Sequence, residues 1–327
     1  MKKIFFLIIC LFLSYPLRAV YHIAFVYVGP DIPAYIQDSI EQACLFNTQA
    51  ELWLIGNKGA IEKDQELKEV LERNNVKLCY CEGLEKTTDH KDFIKKSILD
   101  TTFRQAFWLR TTERFFYLHE FIAQYNKQNV FHLENDVMLY TDLEEILPAF
   151  MKSGSMAAVF DNDMRCIPSF LYFKNSEAIE GLTSFIAQQA TSGKNDMETL
   201  SQYRYVSKNV VGLPIIMKEY VDRYPLRNQL GNKAKHSHDY CENIDQFKGI
   251  FDAAALGQYL GGIDAAIGRS SKGFINERCL FNPSHCTFVW KLDSYGRKIP
   301  FAIFAGKEYK INNLHIHSKN LKSFKSR

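Results

Sequence analysis

The chain has 327 residues, 46% hydrophobic and 24% charged, which is enough apolar material for one large or two small globular domains and argues against long disorder. Its formal charge is +3; setting aside residues 1–19 removes Lys2, Lys3 and Arg18 from 40 basic groups and leaves 37 against 37 acidic ones. A mature chain near neutrality is a poor partner for nucleic acid.

Residues 1–19 read as a secretory signal peptide: Lys2 and Lys3, an apolar run from Ile4 to Leu13, a break at Ser14-Tyr15-Pro16 and a small residue at Ala19. The run is short for a membrane span; retained, it acts as a signal anchor and associates the chain with a membrane through its N-terminus. Either way the expected location is the secretory pathway or outside the cytoplasm. Of eight cysteines, Cys10 lies in the leader, and Cys44, Cys79, Cys81, Cys166, Cys241, Cys279 and Cys286 remain. No C-x-x-C occurs, which disfavours structural zinc, and the odd number prevents full pairing within one chain. One or two disulfides are expected in an oxidising compartment, with Cys279 and Cys286 at the most loop-like spacing.

In chain order, Tyr21 to Val28 is an apolar run ending at Gly29-Pro30, a central first strand. Pro33 opens a helix with Ile36, Ile40, Ala43 and Cys44 at helical spacing. Glu51 to Ile55 is a second strand, Gln65 to Arg73 a helix and Val76 to Cys81 a third strand. This alternation predicts a parallel sheet covered by helices, with ligands bound beyond the carboxyl ends of the strands. There is neither a G-x-G-x-x-G nor a phosphate-cradling G-x-x-x-x-G-K-[ST], so a nucleotide would bind through other means, such as a metal.

Phe107 to Tyr125 carries a helical stripe of Phe115, Leu118, Phe121 and Ile122, with Thr111 or Thr112 as its cap. Arg110 and Arg114 near its start serve either as surface or ion-pair charges, or hold phosphate or order an acidic strand end. That strand end follows: Val130, Phe131 and Leu133 run into Glu134-Asn135-Asp136, then Val137, Met138 and Leu139. On an extended backbone Glu134 and Asp136 face the same way. Two such carboxylates are either solvated loop charges or a hard-metal site, and the apolar flanks favour metal.

Met156 to Phe160 is a strand ending in a second acidic pair, Asp161 and Asp163, an alternative metal site that Met164 to Pro168 marks rather as a turn before a strand at Ser169 to Phe173. Ala178 to Gln189 is a helix, and Asp196 caps the next. Residues 221–249 are polar and loop-like; His236 and His238 there lack a carboxylate or thiolate at metal-binding spacing and read as a solvated loop flanking an acceptor pocket. Asp252 opens an Ala-rich helix closed by Gly261-Gly262, within which Gly257 signals close packing or ligand approach. In an extended strand from Asn313 to Lys319, the side chains of His315, His317 and Lys319 share one face, and the last basic residues, Lys322, Lys325 and Arg327, form a solvated tail.

A parallel α/β N-terminal half, an acidic D-x-D-like strand end at Glu134-Asn135-Asp136 and a late His/Lys strand together resemble a nucleotide-diphospho-sugar glycosyltransferase of the GT-A fold, over about residues 20–320. The resemblance implies a mixed, mostly parallel Rossmann-like sheet flanked by helices in a single domain over 20–327, with a nucleotide-binding half near 20–140 and an acceptor half near 141–320. It implies Mn²⁺ or Mg²⁺ on Asp136, with His317 or His315 as the late metal-binding histidine. Glu134 would contact the ribose or a metal-bound water, Lys319 the leaving diphosphate, and Asp252 would bind the acceptor hydroxyl or serve as base; Arg114 joins the donor-binding candidates on the residue reading alone. The implied activity is hexosyl or N-acetylhexosaminyl transfer from a nucleotide-diphosphate sugar to a glycan, protein or lipid. Two other classes remain open from the residues: a metal-dependent phosphoesterase, and an inactive sugar-binding protein whose metal motif has degraded to Glu134. Oligomeric state is not encoded in any of these features.

Overall fold

The computed structural model describes residues 20–327 except 267, 269 and 270, so the leader reading lies outside the described residues. The first half runs β1 (His22–Tyr27), α1 (Ile36–Phe46), β2 (Glu51–Gly56), α2 (Lys58–Glu62), α3 (Gln65–Arg73), β3 (Lys77–Tyr80), α4 (Thr88–Lys96), α5 (Phe107–Gln124), β4 (Val130–Leu133) and β5 (Val137–Leu139). The second runs α6 (Leu147–Ser153), β6 (Met156–Asn162), β7 (Arg165–Phe173), α7 (Ser176–Gln188), α8 (Asp196–Val206), β8 (Val210–Gly212), α9 (Lys218–Arg223), α10 (Ala255–Gly261), β9 (Thr287–Leu292), β10 (Lys298–Phe304), β11 (Lys307–Lys310) and β12 (Asn313–His315).

The described residues form a seven-stranded mixed sheet in the order β3-β2-β1-β4-β7-β6-β8. Its pairs are parallel except where β7 runs against β4 and β6. This is the expected mostly parallel sheet with helical cover. The physical reason is visible in β1, where Ile23 to Val26 are apolar and buried: a strand covered on both faces is apolar along its centre, and β1 sits between β2 and β4. Helix α3 begins where Asp64 accepts the Leu67 N–H at 2.9 Å and carries Leu67, Val70 and Leu71 inward.

Several local expectations change. Helix α5 starts at Phe107, after three residues with positive φ (Arg104, Gln105, Ala106), so Thr111 and Thr112 lie inside it and donate their hydroxyls to the Trp108 carbonyl. Asn195, not Asp196, caps α8, in a capping box with Glu198. The stretch read as a turn between Asp163 and Ser169 belongs mostly to β7, and the lack of an N–H at Pro168 is accommodated in a ladder whose register shifts along β6. The C-terminus is no solvated tail: Lys325 pairs with Asp38 at 3.1 Å and Glu41 at 2.6 Å, while Ser326 is buried against Gln42. All seven cysteines outside the leader are free, Cys279 and Cys286 included. No described helix is long and apolar enough to cross a membrane.

Two small sheets complete the fold. Strands β9, β10 and β11 form an antiparallel set, and β12 pairs with β5. The second pairing matters most, because β5 is the continuation of β4 beyond its acidic end.

Candidate functional site

Strand β4 ends at Leu133, and the chain does not stay extended. The Val137 N–H returns to the Glu134 carbonyl at 3.1 Å, closing a turn that Asn135 ties to the Val26 carbonyl at 3.2 Å. Glu134 and Asp136 therefore sit in a tight turn at the carboxyl end of a central strand. They still converge, because β12 lies antiparallel to β5 with His315 opposite Val137, and the Ile316 N–H reaches the Asp136 carbonyl at 2.9 Å.

That pairing delivers His315 Nε2 to 3.1 Å from Asp136 Oδ1 and 3.3 Å from Glu134 Oε2. One oxygen from each carboxylate and one imidazole nitrogen lie within 4.8 Å of one another. The other ring nitrogen, Nδ1, is 2.8 Å from the Ala253 carbonyl, which can only accept. His315 Nδ1 thus carries a proton, and in the neutral ring Nε2 offers its lone pair to the point where the carboxylates meet. A hard-to-borderline divalent ion such as Mn²⁺ or Mg²⁺ fits this mixture of two oxygens and one nitrogen. Without an ion, burial would lower the His315 pKa, but the charge and hydrogen bond of Asp136, with Glu134 behind, push it up to about 9. Burial would raise the Asp136 carboxyl, yet His315 and Lys319 hold it well below its ordinary value.

The site is held from behind. The Arg114 guanidinium, buried on α5, bridges Glu134 at 2.7 Å and Asp196 at 2.8 Å. Arg114 thus ties the acidic turn to the start of α8, with carboxylates on both sides of its guanidinium. Lys319 pairs with Asp136 and lies 5.4 Å from the centre of the Tyr35 ring. It does so from a turn: β12 stops at His315, and Lys319 has a φ of 62° with its N–H on the Ile316 carbonyl, so the expected strand from Asn313 to Lys319 is shorter than read.

His317 stands outside the three-ligand cluster. Its ring centre is 4.1 Å from that of His315, its Nδ1 faces Gln258 Nε2 at 3.1 Å, and its Nε2 is buried without a partner among the described residues. Of the two histidines expected as metal ligands, His315 occupies the position, and Glu134 joins the cluster as a direct neighbour instead of an auxiliary group.

Asp252 is also placed differently from the expectation. Its Oδ1 accepts the Leu256 N–H at 2.9 Å, and its Oδ2 accepts those of Gly257 at 2.7 Å and His315 at 2.9 Å. Buried with both oxygens engaged by N–H groups, it caps α10 and clamps that helix to β12 at His315. Burial pushes its pKa up to about 6 against those three N–H groups. Gly257 is needed for the same contact, since a Cβ there would fall far inside van der Waals contact distance of the His315 carbonyl oxygen.

The second acidic pair is spoken for. Asp161 takes a bidentate ion pair from Arg165, with Nε at 3.1 and 2.9 Å from its two oxygens, and Asp163 accepts the Lys235 N–H at 2.7 Å and the Tyr240 hydroxyl. Sequence reading missed Asp196 as the partner of Arg114, Tyr35 beside Lys319, and Gln258 against His317. Gln258 alone carried a signal, a single amide buried in an otherwise apolar Ala-Leu-Gly-Gln-Tyr-Leu helix.

No family model matches the sequence, and no curated protein matches it. Among solved structures the fold is similar to mouse xyloside xylosyltransferase 1, at 10% identity and a TM-score of 0.43, over 62% of this chain and 89% of that one. It is similar to the galactosyltransferase LgtC in complex with donor and acceptor sugar analogues, at 13% identity and 0.42, over 62% and 77%. It is also similar to core-mannan synthase A from Aspergillus fumigatus in a Mn/GDP form, at 8% identity and 0.38, over 59% and 73%.

Proposed function

We propose that this protein transfers a sugar from a nucleotide-diphosphate donor to a hydroxyl of a glycan, protein or lipid, with a divalent cation held by Glu134, Asp136 and His315. The observation that carries the reading is the convergence of two carboxylates and an imidazole whose free nitrogen faces them, at the carboxyl end of β4. In a sheet of this kind that end is where ligands bind.

Breaking a sugar–phosphate bond builds negative charge on the departing diphosphate, and a bound divalent ion supplies compensating charge there. The protein's own residues do the rest. Lys319 places an ammonium at the rim of the cluster and is free to exchange Asp136 for a phosphate oxygen. Arg114 keeps Glu134 in place, and Asp252 keeps β12 in place.

The phosphoesterase reading calls for a second metal beside the first, and among the described residues Glu134, Asp136 and His315 are the one such cluster. The degraded-motif reading loses its support as well, since Glu134 reaches His315 as Asp136 does. The test is a thermal-shift screen of nucleoside diphosphates and sugar nucleotides with and without Mn²⁺. The expected result is a Tm rise of about 3–8 °C for one nucleotide class only when Mn²⁺ is present. No shift with any donor would overturn the reading.

A further inference from the structure

His315 and His317 are adjacent rings with opposite hydrogen-bond polarity, and each polarity is set by a backbone group. For His315 the backbone acceptor Ala253 O fixes a proton on Nδ1, so that in the neutral ring the lone pair lies on Nε2. For His317 the anchor is three residues long. The Arg278 backbone N–H donates to Asn276 Oδ1 at 3.0 Å, which settles which end of that amide is oxygen. Asn276 Nδ2 then donates to Gln258 Oε1 at 2.9 Å, and Gln258 Nε2 is left to donate to His317 Nδ1 at 3.1 Å. A ring that accepts at Nδ1 carries its proton on Nε2.

A nitrogen that carries a proton cannot coordinate a cation, so the relay excludes His317 Nε2 as a metal ligand while it stands. What it offers is an N–H. That N–H is buried, has no partner among the described residues, and sits on a ring tilted against the cluster's own histidine, with the ring centres 4.1 Å apart. Buried donors are nearly always satisfied, and one kept unspent by a three-residue relay at the edge of a site is a place for a ligand oxygen.

We infer that His317 is a substrate-binding residue, presenting its Nε2–H to an oxygen of the sugar-nucleotide donor, and that Gln258 and Asn276 are positioning residues that hold it in that tautomer. The inference rests on the donor reading above. The oxygen belongs either to the diphosphate or to a sugar hydroxyl, and one experiment separates the two sources.

The experiment measures binding to UDP, GDP, CDP and ADP with Mn²⁺, and to the glucose conjugate of whichever binds, for the wild type, His317→Asn and His317→Gln. Asparagine keeps a polar atom toward Gln258 but removes the group at the ε position; glutamine puts an amide N–H back there. The expected result is that His317→Asn weakens binding about tenfold, His317→Gln recovers most of it, and the Mn²⁺ affinity of the nucleotide-free protein is the same in all three. A loss seen already with the bare diphosphate assigns the oxygen to phosphate; a loss confined to the conjugate assigns it to the sugar. Unchanged binding in His317→Asn, no recovery in His317→Gln, or loss of Mn²⁺ affinity without nucleotide would each overturn the inference and leave the donor reading intact. A wild type that binds none of the nucleotides would overturn both.

Discussion

His315 Nε2 lies 3.1 Å from Asp136 Oδ1 because β12 pairs with β5 and sets His315 opposite Val137. In the ion-free protein that nitrogen carries a proton, and its pKa is pushed up to about 9 by Asp136. The sign is definite. A histidine raised above its ordinary value of 6.5 contributes stability fully below about pH 6.5 and loses it as the pH rises through about 9. A cation must displace the same proton, so its affinity moves the other way. The Kd for Mn²⁺ is expected to fall roughly tenfold per pH unit between about 7 and 9 and then level off. Titration at about pH 6.5, 7.5 and 8.5 checks this, and a pH-independent Kd would contradict it.

Lys319 and a cation compete for Asp136. In Lys319→Ala, Mn²⁺ binding without nucleotide should tighten by a few fold, while diphosphate binding with Mn²⁺ should weaken about tenfold. Parallel titrations of Mn²⁺ and of nucleotide read the two effects separately. Weakening of both would mean that Lys319 helps to shape the cluster instead of competing with the ion.

Arg114 is buried between Glu134 and Asp196. Arg114→Met leaves two carboxylates without their partner, and the expected cost is about 3 kcal/mol in urea unfolding. The exposed pair Lys248 and Glu145, 3.0 Å apart with each side chain more than half exposed, is the control: Lys248→Ala should change stability by less than about 0.5 kcal/mol. Equal effects would show that burial does not set the worth of the Arg114 pairs.

Gly257→Ala places a methyl group against the His315 carbonyl. The helix and β12 must part, so the variant should lose about 2–3 kcal/mol and bind Mn²⁺ more weakly than the wild type. Calorimetric unfolding and a metal titration on the same sample check both, and a variant of wild-type stability would contradict the packing described for α10.

Much of the sheet could be read from the chain because buried strands are apolar along their centres. Tyr21 to Val28 and Glu51 to Ile55 contain β1 and nearly all of β2, and α3 occupies the predicted residues, Gln65 to Arg73. The acidic turn was legible for the same reason, as an abrupt break in an apolar run. What could not be read is the pairing of β12 with β5, since it joins segments far apart in the chain and each is only three residues long. That pairing chooses His315 over His317. The role of Asp252 was hidden differently: a cap and a base look alike in sequence, and only its three N–H partners distinguish them. Asn195 and Asp196 show the same ambiguity, since either can cap, and the buried guanidinium of Arg114 claims Asp196.

The central claim is that Asp136, with Glu134 and His315, holds a divalent cation. Calorimetric titration of Mn²⁺ into the wild type and Asp136→Ala tests it most directly. The expected result is one site per chain in the wild type and a loss of at least about a hundredfold in affinity in the variant. Mn²⁺ binding of equal affinity in both proteins would contradict it.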